Sequence, residues 1–129
     1  MPYALFDHLD AQLRNEVRIW AQALQKRERI KFDKKLDLLQ QHGMSLLPNL
    51  LAGPVDTHIY KLRFGVDRLL RPRLCRGPIN NETEFTLLLG AFEVGGNDKP
   101  PDANSQAVER RAAILADVRR RCPHERFDG

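Results

Sequence analysis

The chain predicts an α+β domain: a short strand, two helices, three strands and a closing helix, with the helices packed on one face of a small antiparallel sheet. Three observations carry this. Leu9, Leu13, Val17, Trp20 and Leu24 recur at spacings of four, four, three and four, one face of an α-helix, and Val108, Ala112, Leu115 and Val118 make a similar stripe near the other end. Residues 57–64 and 69–76 alternate between apolar and polar, the period of a strand. Residues 85–92 are almost all apolar, as a central strand covered on both faces should be.

Taken in order, residues 3–6 form a first strand, and Asp7 or Asp10 can cap the helix that carries the Leu9–Leu24 stripe. Gln12, Arg14, Glu16, Arg18 and Gln22 suit its solvated side. The dense basic segment 25–31 contains the joint to a second helix, from about 28 to 42, with Phe32, Leu36 and Leu39 on its apolar face. Gly43 then ends that helix in a left-handed conformation, completing a helical hairpin. Residues 44–54 set Pro48, Gly53 and Pro54 among Leu46, Leu47, Leu50 and Leu51, which reads as a packed irregular connection. Those leucines would each cost roughly 1.5–3 kcal/mol if left in water.

In the first alternating strand, His58, Tyr60, Leu62 and Phe64 face one way, and Ile59, Lys61 and Arg63 the other. Gly65-Val66-Asp67 is a turn. In the second, Leu70, Pro72 and Leu74 alternate with Arg71, Arg73 and Cys75, and Pro72, having no donor for a ladder, demands an edge or a bulge. Residues 77–82 are a loop, and residues 95–101 a mobile one. Asp102 or Asn104 caps the final helix, which Cys122-Pro123 ends. The single domain therefore spans residues 1–123, with 124–129 a frayed tail.

The 129 residues are 42% apolar and 29% charged, with a net charge of +4, an ordinary soluble composition mildly favourable to polyanions. No apolar run approaches the roughly 20 residues that span a bilayer. The first residues lack the basic flank and apolar stretch of a secretory signal, so the expected location is cytoplasmic. Cys75 and Cys122 have no neighbour at CxxC spacing and read as reduced thiols. His8, His42, His58 and His124 share no metal-ligand spacing, and GxSxG, HExxH and phosphate-loop motifs are absent, so neither a metal nor a cofactor is expected.

Chemistry is sought instead in the cations. Lys61 and Arg63 are two apart on one strand, as are Arg71 and Arg73 on the next, so a hairpin would gather all four on one face. Such a face binds phosphate. The alternative is a solvated face whose arginines pair with Glu84, Glu93 or the final helix. Lys31, Lys34 and Lys35, in a basic run with Lys26, Arg27 and Arg29, could add RNA contacts or simply be solvated. Arg119, Arg120 and Arg121 complement a helix C-terminus. His58 and Tyr60, on the opposite side from Lys61, read as core or rim.

The ordered set of a short strand, two helices, LLQQHG at 38–43, LLAGPVDTHIYKLRF at 50–64, RPRLC at 71–75, FTLLLGAFE at 85–93, KPPD at 99–102 and a closing helix resembles the phage-derived branch of the RelE/ParE superfamily. These are RelE/HigB-type toxins of type II toxin–antitoxin systems, and the resemblance covers roughly residues 3–118. It implies a RelE-like fold and a metal-independent endonuclease that cleaves mRNA on the ribosome, where the 2′-hydroxyl attacks the adjacent phosphate and basic side chains stabilise the developing charge. By position, Arg63 and Arg73 look like the family's catalytic arginines, with Lys61, Arg71, Lys99, Lys31, Lys34 and Lys35 as RNA contacts. A cognate antitoxin is the implied protein partner. Glu93 and Val94 occupy positions where the family often has a lysine pair, and Pro72 that of an aromatic residue. A toxin-like binding module without nuclease activity and a gyrase-directed toxin are the alternative implied functions.

Overall fold

The computed structural model describes residues 2–127. The element order begins with strand β1 (Ala4–His8), helix α1 (Glu16–Gln22) and helix α2 (Lys26–His42). Strands β2 (Leu51–Asp56), β3 (Ile59–Leu62), β4 (Phe64–Gly65), β5 (Leu69–Leu70), β6 (Arg73–Arg76) and β7 (Glu84–Leu89) follow. The hairpin β8 (Phe92–Val94) and β9 (Asn97–Lys99), helix α3 (Ala103–Ala116) and strand β10 (Arg121–Pro123) complete the chain. The α+β class expected from the sequence is the class observed. Among the described residues no helix is long and apolar enough to cross a membrane.

The strands form two sheets. The larger has the order β10-β1-β7-β6-β3-β2 and is antiparallel except where β1 runs parallel to β7, and the smaller has the order β4-β5-β8-β9. Strand β7 is buried at every position, which accounts for its unbroken apolar run. On one side of the large sheet Leu5, Leu62, Leu74, Phe85 and Leu87 pack with Val17, Ala21, Leu24, Phe32, Leu36 and Leu39 of the first two helices. On the other side Ile59, Cys75 and Leu88 pack with Ala107 and Ile114 of α3. The helices therefore cover both faces of the sheet, and the expectation of a single covered face is corrected. The reason is visible in the strands: Leu74 and Cys75, or Leu87 and Leu88, are adjacent apolar residues pointing opposite ways, and each needs a cover.

Several boundaries differ from the expected ones for local chemical reasons. The first helix starts at Glu16, because the Asp10 carboxylate accepts hydrogen bonds from the backbone N–H of Gln12 and of Arg14, both at 2.9 Å, and closes residues 10–14 into a turn. Leu13 has φ 62° and is exposed, so it is no part of the apolar stripe. Asn15 is the cap, its side chain accepting from Arg18 N–H at 2.9 Å. At the start of α2, Glu28 accepts from Gln25 N–H at 2.9 Å and from both arms of Arg68 at 2.7 and 3.0 Å. The hydrogen-bonded Arg68 guanidinium holds the buried Glu28 carboxyl below the usual carboxylate range. Gly43 ends α2 as expected, with a positive φ of 55° that favours glycine, but its ψ of −132° is not that of the left-handed helical conformation.

Residues 51–56, read as part of an irregular connection, are strand β2, paired with β3 through the two-residue turn Thr57-His58. The single strand expected over 69–76 is two, in two different sheets, and Pro72 lies at the switch between them. There it forfeits no ladder donor, while its carbonyl accepts from Leu62 N–H at 3.0 Å. Residues 95–101, expected to be mobile, instead hold the β8–β9 turn: Gly95 and Gly96 have φ values of 58° and 81°, the left-handed pair that a two-residue hairpin turn requires.

The last helix ends at Ala116, not at Cys122, so Arg119, Arg120 and Arg121 lie beyond it and do not serve its dipole. Arg121 begins β10, an edge strand paired with β1, and forms an ion pair with Glu84. Residues 124–127 are packed rather than frayed: the His124 ring lies 2.9 Å from the buried Asp7 carboxylate, and Arg18 sits over the Phe127 ring. Residues 128 and 129, the rest of the expected tail, lie outside the described residues.

Candidate nucleic-acid interface

The four strand cations do not form one solvated face. Lys61 and Arg73 are direct cross-strand neighbours, as a hairpin predicts, but they lie on the side of the sheet that α3 covers. Two like charges placed opposite each other repel. The structure relieves this by burying Arg73 to 1% exposure and surrounding it with acceptors. Its guanidinium is 2.7 Å from Asp98 on β9, donates to Asn104 on α3 at 2.7 Å, and donates to the Arg71 carbonyl at 2.6 Å.

Arg71, 7% exposed, is likewise consumed: it meets Glu93 at 3.3 Å and donates to the carbonyls of Phe64 and Leu70 at 3.1 and 2.8 Å. Glu93 and Asp98 are themselves cross-strand partners on the β8–β9 hairpin. One short acidic hairpin therefore neutralises both strand arginines. Arg71 and Arg73 tie the two sheets and α3 together, and their near-complete burial leaves little guanidinium surface for a phosphate. The pairing of an arginine with Glu93, raised from the sequence as the alternative to a phosphate face, is the arrangement found for Arg71.

Arg63 lies outside both sheets, exposed, with its backbone N–H donating to the Leu50 carbonyl at 2.8 Å. Lys99 is exposed at the end of β9, and Lys61 is half-buried. None of these three lines the cleft that the α2 lysines form.

The helix lysines do assemble. Arg27, Lys31, Lys34 and Lys35 share one side of α2 because they fall at steps of four, three and one. With Ile30 and Val66 they line an open cleft of about 380 Å³ between the helix and the Gly65–Asp67 turn. Lys31 Nζ donates to the Gly65 carbonyl at 2.9 Å, and Arg27 reaches Asp67 at 2.5 Å, which anchor the cleft's rim to the turn. Lys34 and Lys35 form no ion pair among the described residues. Ile30 and Lys34 are shared with an adjoining cleft of about 360 Å³ that Lys26, Arg29 and Phe127 also line.

A third basic place was not read from the sequence. His58, Tyr60, Arg76, Asn81 and Arg111 line a pocket of about 240 Å³ at one end of the large sheet. The signal for part of it was present: Tyr60 pairs with Leu74, and extending that antiparallel register by two residues sets His58 opposite Arg76. Arg111 arrives from α3, and no local pattern places it there. Burial pushes the Cys75 thiol up to about 12, so it stays protonated. Cys122 is also shifted up by burial. Among the described residues no His, Cys, Asp and Glu side chains gather in a metal-holding group.

No protein-family model matches the chain, and neither a curated protein nor a solved structure matches it.

Proposed function

We propose that this chain is a toxin-like module of the cytoplasm that binds nucleic acid through the lysine cleft on α2, without the strand-arginine nuclease centre that the resemblance implies. The observation that carries the reading is the convergence of Arg27, Lys31, Lys34 and Lys35 on one open cleft while Arg71 and Arg73 are buried against carboxylates. Lysine ammonium groups on flexible stems act as point charges, suited to a phosphate backbone read without regard to sequence. The order of strand, two helices, strands and helix, on which the resemblance rests, supports the toxin-like part. On this reading an antitoxin is the natural protein partner, and a small helix-turn-helix protein encoded alongside would be its source.

Binding of a fluorescent single-stranded RNA of about 20 nucleotides, followed by anisotropy across a salt series, tests the reading. Each cation that displaces a counterion contributes about 0.7 to the slope of log K against log salt on a single strand, so Lys31→Gln, Lys34→Gln and Lys35→Gln together should lower it by about 2. The RNA should be recovered at full length. Affinity indifferent to salt, or a slope unchanged in the triple variant, overturns the cleft as the interface. Cleavage of the RNA by wild-type protein overturns the binding-only reading.

A further inference from the structure

We propose that the pocket lined by His58, Tyr60, Arg76, Asn81 and Arg111 is a separate binding site for a phosphate monoester carried on a nucleotide. Its five side chains come from five stretches of chain: the β2–β3 turn, β3, the end of β6, the loop after it, and α3. None of the five lines the lysine cleft.

Charge is the first argument. Arg68, Arg71, Arg73, Arg110 and Arg121 each meet a carboxylate. Arg76 and Arg111 form no ion pair among the described residues, and no carboxylate lines the pocket they share. Two guanidiniums held near each other without a counter-charge repel, and a bound dianion relieves that repulsion. A phosphate monoester carries about −1.5 to −2 at neutral pH, against −1 for the internal diester of a nucleic acid, so the monoester fits a pair of guanidiniums better.

Geometry is the second. Arg76 Nε donates to the Asn81 carbonyl at 3.2 Å, which fixes the plane of the guanidinium and leaves its two terminal nitrogens to donate. Arg111 Nε is shielded from solvent and makes no hydrogen bond, a costly state for a donor belonging to a charged group. Tyr60 Oη–H and the Asn81 amide add neutral donors. His58 is exposed at the tip of the hairpin with φ 61°, a conformation that glycine would occupy with less strain, and its ring stands at the pocket's edge. The volume of about 240 Å³ is smaller than the roughly 300 Å³ lower bound of drug-sized sites, so it admits a phosphate with its sugar and leaves the base to the rim.

The experiment is a ¹H–¹⁵N NMR titration of the full chain with adenosine 5′-monophosphate and with adenosine, followed by calorimetry with an RNA oligonucleotide bearing either a 5′-phosphate or a 5′-hydroxyl. The monophosphate should shift resonances around His58, Tyr60 and Asn81, and adenosine should shift none. Arg76→Gln and Arg111→Gln should each weaken the monophosphate by about tenfold or more. Lys31→Gln/Lys34→Gln/Lys35→Gln should leave it unchanged, which separates this site from the lysine cleft. Stronger binding of the 5′-phosphorylated RNA assigns the site to RNA ends, whereas equal binding of the two RNAs with the monophosphate still bound assigns it to free nucleotides. Shifts confined to α2, equal responses to monophosphate and adenosine, or no response to either overturns the site. The wild-type shift map decides the matter even where an arginine variant fails to fold.

Discussion

At Arg73 a full positive charge is 1% exposed, and its position depends on Asp98, Asn104 and the Arg71 carbonyl. Removing one member of a buried pair leaves the other desolvated and unpaired. Asp98→Ala should therefore destabilise the fold by about 3 kcal/mol, near the lower end for such pairs because Asp98 itself is partly exposed. Urea denaturation measures this, and a loss below about 1 kcal/mol would show the pair to be dispensable. For the same reason Arg73→Ala is a poor probe of nuclease activity, since it removes a structural ion pair. His8 makes a second residue-scale case. It is 3% exposed, neither ring nitrogen has a partner, and burial together with the positive charges of Arg110 and Arg120 lowers its pKa from 6.5 to about 4. The unfolded chain binds that proton more readily, so stability should fall as pH drops from about 6.5 and level off below about 4. At 1.36 kcal/mol per unit the loss approaches about 3 kcal/mol. A His8→Leu variant should lack this part of the pH dependence, and chemical denaturation between pH 7 and pH 4 would reveal it.

At the scale of elements, the close approach of α1 to the chain between β7 and β8 depends on Gly90. A Cβ there would fall within the Trp20 indole, which itself packs against Phe32 and Phe92. The backbone of Gly90 is not left-handed, so contact alone dictates the glycine. Gly90→Ala should cost about 1–3 kcal/mol, read from thermal or urea unfolding. Retained stability would mean that α1 can shift outward. Among the helices α2 matches its expected span closely, whereas the stripe expected for the last helix fails: Ala112 and Leu115 are exposed, Val118 lies beyond α3, and Ala103, Ala107 and Ile114 are the residues it buries. The other failures fell where side chains compete with the backbone, as at Asp10, or where strands are too short to show a period, as at β4 and β5. Strand β2 was missed because its Gly53 and Pro54 resemble punctuation, although they sit in an edge strand at an irregular register.

Across the whole molecule, residues 121–127 bind the two ends of the chain together. Strand β10 pairs with β1, His124 meets Asp7, and Phe127 N–H donates to Asp33 at 3.3 Å. Deleting the chain from residue 124 should destabilise by about 1–3 kcal/mol, because the buried Asp7 carboxylate loses the His124 ring and keeps only Asn15 as a side-chain partner. Differential scanning calorimetry of the shortened chain is the check, and an unchanged melting temperature would refute it.

What the amino-acid sequence by itself determined is the α+β class, the apolar face of α2, the central β7 and the basic side of α2, because each arises from a periodicity within one element. Only the tertiary structure decided the fate of the cations. Whether Arg73 faces solvent or a helix depends on α3, some 30 residues further along, and whether it is neutralised depends on the β8–β9 hairpin. The pocket of His58, Arg76 and Arg111 depends likewise on strand register and on helix placement. Local spacing sets which way a side chain points relative to its neighbours. Long-range packing sets whether a charge meets water, a carboxylate or an empty pocket, and that distinction separates a structural arginine from one free to bind.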